Sequence, residues 1–138
     1  MKYFYCVLFL MVVFVSIGWA QVAVIVNKSI PVSKITAGSL KQIYTLNNTK
    51  WSDGTKITVY DSKDQSLRQA LCDFIGEDIL TLRKLWMKLQ LSGEAKAPEV
   101  VQNDAEMIKK VTSTLGAIGY VHTSAIKGNR LKVIATIE

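Results

Sequence analysis

Val22-Ala23-Val24-Ile25-Val26 is five apolar residues in a row, four of them β-branched, closed by Asn27. No polar residue alternates within it, so it reads as a strand buried on both faces, as parallel strands between helices are. Asn27 to Ser33 contains Ser29 and Pro31 and reads as a loop. Thr36 can then cap a helix through about Tyr44, with Leu40, Ile43 and Tyr44 on one face. Leu46 to Gly54 is polar and turns at Asp53-Gly54, and Ile57 to Tyr60 reads as a second strand. The polar loop Asp61 to Gln65 feeds a helix over about Ser66 to Ile75, which Gly76 ends.

Asp78 caps the next helix. Its Ile79, Leu82, Leu85, Trp86 and Leu89 form a core-facing stripe, and Arg83, Lys84 and Lys88 lie largely off it. Trp86 is therefore expected in the core. Ser92 to Pro98 reads as a loop. Asn103-Asp104-Ala105-Glu106 has the pattern of a capping box and opens a helix through Val111. Ala117 to Val121 and Leu131 to Ala135 read as closing strands. Strands alternating with helices give a single layered α/β domain with a mostly parallel sheet flanked by helices. There is no internal repeat and no low-complexity linker.

Upstream of Val22 the pattern changes. Lys2 is followed by a charge-free apolar run from Tyr3 to Ile17, and Gly18-Trp19-Ala20 supplies small residues ahead of Gln21. The run is shorter than the roughly 20 residues of a spanning helix. It reads as a cleaved signal peptide over 1–20, with the domain over 21–138 and a periplasmic location. Cleavage leaves no membrane span. It also removes Lys2 from the 17 basic residues, against 11 acidic, for a net charge near +5. Such a balance suits an anionic partner and a soluble surface equally. Only Cys72 remains after Cys6 is removed, so packing and not a disulfide must hold the domain. Cys72 reads as a buried structural thiol.

Four stretches in order resemble the phosphate-binding proteins of phosphate ABC transporters. They are Val24-Ile25-Val26-Asn27 followed by Pro31-Val32-Ser33, then Leu40-Lys41-Gln42-Ile43-Tyr44, then Trp51-Ser52-Asp53-Gly54 leading into Ile57 to Tyr60, and last Gly116-Ala117-Ile118-Gly119-Tyr120-Val121. The resemblance implies one lobe of a type II periplasmic-binding-protein fold. Full-length members have two lobes closing on an anion, and in them the Val-Ile-Val-Asn strand lies mid-chain, so a single-lobe relative is expected here.

The resemblance also implies an anion site in the loop after the second strand, where the family carries an arginine and a Ser-Gly-Thr element opening a helix. The first-turn amides of a helix lack intrahelical partners, and its dipole favours negative charge there. In this chain the loop is Asp61-Ser62-Lys63-Asp64-Gln65-Ser66-Leu67-Arg68. The family arginine falls near Asp61, and Gln65-Ser66-Leu67 stands for Ser-Gly-Thr. The expected ligand-binding residues are Ser62, Lys63, Ser66 and Arg68, opposed by Asp61 and Asp64.

Other features have blander readings. His122 is the only histidine and has no carboxylate or cysteine at metal-ligand spacing, so it reads as structural or exposed. Trp51 and Tyr120 read as core, and Gly116 and Gly119 as permitting a tight turn and close packing. Asn27-Lys28-Ser29 and Asn47-Asn48-Thr49 match glycosylation acceptors, a pattern common by chance. No catalytic residues, metal cluster, cofactor motif or nucleic-acid motif stands out, which argues against an enzyme. Two readings follow. One is a binding module for phosphate or a related oxyanion, serving ABC transport or sensing. The other is a ligand-free protein-interaction or scaffold module of the envelope, engaging a protein partner or a second copy of itself.

Overall fold

A computed structural model describes residues 21–128 and 130–138; the expected signal segment 1–20 lies outside the described residues. The elements are β1 (Val22–Asn27), α1 (Ala37–Tyr44), β2 (Thr58–Ser62), α2 (Gln65–Ile75), α3 (Ile79–Ser92), β3 (Glu99–Val101), α4 (Asp104–Ser113), β4 (Ala117–His122) and β5 (Leu131–Ile137). They build one five-stranded sheet in the order β3-β2-β4-β1-β5.

Alternation along β1 sorts the core. Val22, Val24 and Val26 face a cluster that includes Leu40 and Tyr44 of α1, Leu67 and Leu71 of α2, and Leu82 and Trp86 of α3. Ala23 and Ile25 face the opposite cluster, with Met107 and Val111 of α4. Three helices therefore cover one face and one covers the other, giving the expected layered α/β arrangement.

The sheet is mixed and not mostly parallel. β2 runs parallel to β3 and β4, while β1 is antiparallel to both β4 and β5. The unbroken apolar run of β1 reports that both its faces are covered. Coverage is set by the helix layers and says nothing about the direction of the neighbouring strands. Two further differences bear on the site. β3 is only three residues long and follows Pro98, too short to leave a pattern in the sequence. β2 extends through Asp61 and Ser62, read above as loop, because these two pair with Val100 and Val101 of β3.

Glycines set two close approaches. Gly116 has φ +75°, and a side chain there would run into the Lys56 carbonyl; Gly119 lies against the Met107 sulfur. The Asn27 amide donates to the carbonyls of Val111 (3.0 Å) and Thr112 (3.3 Å), tying the end of β1 to the end of α4. Trp51 and Trp86 are buried, and their indole N–H groups donate to Gly116 O at 2.9 Å and Tyr44 O at 2.7 Å. Among the described residues, no helix is long and apolar enough to cross a membrane.

Candidate functional site

β2 delivers Asp61 and Ser62 to the start of α2, and the rest of the loop turns there. Asp64 is the N-cap of α2. Its Oδ1 accepts from the amides of Ser66 (2.9 Å) and Leu67 (3.3 Å) and from the Ser66 hydroxyl (2.6 Å). These bonds, the Ser66 hydroxyl first, hold the Asp64 carboxyl below the usual carboxylate range. The Asp64 amide in turn donates to Ser62 Oγ at 3.1 Å. A side-chain carboxylate thus occupies the amide cradle in which an external anion would sit.

Below this cap lies a buried charge pair. Asp61 Oδ2 accepts from Arg68 Nη2 at 2.9 Å and Nε at 3.1 Å, and the two side chains are only 3% and 11% exposed. Asp61 Oδ1 accepts from the Tyr120 hydroxyl, whose oxygen also accepts from the Ser62 amide at 3.1 Å. Burial, and then the charge of Asp61, push the Tyr120 phenol far above its ordinary range, so it serves as a neutral donor. Tyr44 meets Tyr120 edge to face at 5.9 Å and donates to Tyr60 O at 2.9 Å. Among the described residues, no buried side-chain nitrogen or oxygen lacks a partner.

The four expected ligand residues are therefore placed as follows. Ser62 is buried, with its hydroxyl oxygen accepting from Asp64. Ser66 is turned onto Asp64. Arg68 is committed to Asp61. Lys63 is exposed, with its ammonium 3.4 Å from Gln102 Oε1. Ser62, Ser66 and Arg68 share one helix start, yet their donors and acceptors point to protein partners. The cavity beside Asp61 and Arg68 measures about 10 Å³ and is lined by Leu71, Cys72, Leu82 and Trp86 among others. That is room for about one water and far less than a phosphate needs.

His122 is half-buried and meets carboxylates that its place in the chain does not show. Its Nδ1 lies 2.8 Å from Asp104 Oδ2, and its Nε2 lies 3.9 Å from Asp64 Oδ2. Spacing along the chain could not reveal these carboxylates, because α4, β4 and the α2 cap meet only in the fold. Among the described residues, no group of histidine, cysteine and carboxylate side chains is arranged to hold a metal ion. The Asp61–Arg68 pair had one legible trace, the two opposite charges flanking the same helix start. Tyr120 had none beyond its place in β4.

The fold has known counterparts. A protein from Clostridium perfringens assigned as a phosphate ABC transporter substrate-binding protein, solved with bound phosphate, superposes with a TM-score of 0.67 at 22% identity, over 83% of this chain and 45% of its own. An ABC-type phosphate transport receptor from Vibrio cholerae gives 0.64 at 20% identity, over 83% and 46%. PstS from Borrelia burgdorferi gives 0.58 at 20% identity, over 84% and 47%. The chain thus spans less than half the length of each of these structures. No curated protein matches it significantly in sequence. The sequence model of the PBP superfamily domain matches residues 11–136, and the chain belongs to that family.

Proposed function

We propose that this chain is an exported, non-enzymatic lobe of the solute-binding-protein type that works through contacts made by its surface, as an interaction module of the cell envelope. The carrying observation is that its own carboxylates engage the donors at the start of α2: Asp64 takes the amides and the Ser66 hydroxyl, and Asp61 takes Arg68. Export rests on the pattern of residues 1–20, and the chain isolated from envelope should begin at Gln21 on N-terminal sequencing. A start at Met1 would contradict the export reading.

A second reading keeps the anion. Similarity to a protein solved with bound phosphate and the exposed charge of Lys63 favour phosphate or a related oxyanion at Ser62, Lys63, Ser66 and Arg68, for transport or sensing. Thermal melting separates the two. A ligand at 100 times its dissociation constant stabilises a native state by about 2.7 kcal/mol, a shift of several degrees in a domain this size. The interaction reading expects no shift with phosphate, sulfate or organic phosphates at roughly 10 mM, a hundredfold excess over a 100 μM site. A shift that disappears in Lys63→Ala and Ser66→Ala would establish the oxyanion reading instead.

A further inference from the structure

α3 carries a second apolar stripe on the side away from the core. Leu80, Met87 and Leu91 are 64%, 65% and 82% exposed, although each is large and apolar. At about 100° per residue they fall within an arc of about 40°, on a line about 16 Å long. The stripe lies about 140° round the helix from Leu82 and Trp86, which anchor α3 to the domain. Exposed cations flank it, Arg83 on one side and Lys84 and Lys88 on the other. No carboxylate occurs anywhere in Ile79–Ser92. At the helix start, Asp78 accepts from the Thr81 amide and Glu77 is paired with Lys41 at 3.2 Å.

The geometry points to α3 as a docking ridge for an anionic lipid surface. An apolar line bordered by long cationic side chains has the form of a helix lying in a membrane interface, where the stems snorkel and the charges meet phosphate headgroups. The cations and the absence of acidic residues in the helix fix the sign of the partner. The shape favours lipid over protein. Leu80, Met87 and Leu91 stand on a convex ridge, and a fluid headgroup layer yields to a ridge where a folded partner would need a matching groove.

This inference rests on the surface-contact reading and names the surface. Its failure is distinguishable from that of the parent reading, since phosphate titration reports on α2 and the following experiment reports on α3. In the chain that begins at Gln21 and carries Met87→Cys, an environment-sensitive fluorophore is attached to the new thiol, while buried Cys72 stays unlabelled. Phosphatidylglycerol vesicles should shift its emission to the blue, and phosphatidylcholine vesicles should not. Lys84→Gln and Lys88→Gln should each raise the half-saturating lipid concentration by roughly fivefold, the effect of one basic residue near a charged surface. Both positions are exposed, and an unchanged melting temperature would exclude misfolding as the cause. No shift with either vesicle, or an equal shift with both, would overturn the proposal. So would a shift produced by a soluble acidic amphipathic peptide and not by anionic vesicles, which would mark α3 as a protein site.

Discussion

At the residue scale the decisive group is Asp61. Its carboxylate is almost fully buried, receives two bonds from Arg68 and one from Tyr120, and so behaves as an anion built into the chain. Removing one partner of such a pair leaves the other charged in a low-dielectric site, which costs roughly 3–5 kcal/mol. Arg68→Met should therefore lower the urea midpoint sharply. The double variant Asp61→Asn with Arg68→Met keeps an acceptor for Tyr120 and removes both charges. It should be much less destabilised than the sum of the single changes, because a buried pair replaced as a unit is often near neutral. Additive losses in the cycle would mean that the two side chains are not energetically coupled. Phosphate binding by Arg68 would also require Asp61 to be left behind, at a cost of that same order.

At the element scale, α2 shows how a helix start can be closed to ligands. Asp64 satisfies two of its amides, and the loss of such a cap costs about 0.5–2 kcal/mol. Asp64→Ala should cost that amount near neutral pH. Because the folded state holds the Asp64 carboxyl below its ordinary value, this stabilisation is fully present above the unfolded value and is lost as pH falls through the folded one. The gap between parent and Asp64→Ala should thus narrow below about pH 4. Asp64→Asn keeps a capping oxygen and should not show that narrowing. A gap constant down to pH 2 would mean that the carboxylate is not the capping form.

Much of this was legible along the chain, and the rest has physical reasons for being hidden. Thr36, Asp78 and Asn103 were readable as caps because a cap is a local contact. The apolar runs gave four of the five strands. Sheet direction was not readable, since β1 is buried by helices on both faces whichever way β4 and β5 run. The outer stripe of α3 was also missed, because Ile79, Leu82, Leu85, Trp86 and Leu89 already account for a core-facing helix. Leu85 and Leu89 are in fact only half buried, and Leu80, Met87 and Leu91 are exposed. At the site, the loop's residue types suggested an anion cradle. Asp64 fills it as the N-cap, whereas the withdrawal of Arg68 onto Asp61 depended on Asp61 lying in β2, and that required pairing with β3, an element of three residues.

At the scale of the whole molecule, stability falls to packing. Cys72 is a free buried thiol, and burial together with the nearby Asp61 charge pushes it up to about 11. No disulfide staples the described residues, so α3 is held to the domain largely by Leu82 and Trp86. Trp86 fills the core on that face, and its indole N–H satisfies the last carbonyl of α1, Tyr44 O. Trp86→Ala removes a large buried side chain and leaves that carbonyl without its donor, a loss of roughly 3–5 kcal/mol. In a domain with about 5–15 kcal/mol in total, the variant should be marginal or unfolded at ambient temperature. Trp86→Phe keeps most of the volume and loses only the N–H, so it should retain most of the stability. The Cys72 thiol provides the measurement, since a thiol reagent reaches it only when the core opens. Cys72 in the parent should label at the slow rate of global unfolding, in Trp86→Phe somewhat faster, and in Trp86→Ala almost as fast as in urea. Equal, slow labelling in all three would show that α3 can come away without opening the core, making it an appended element and not a wall of the domain.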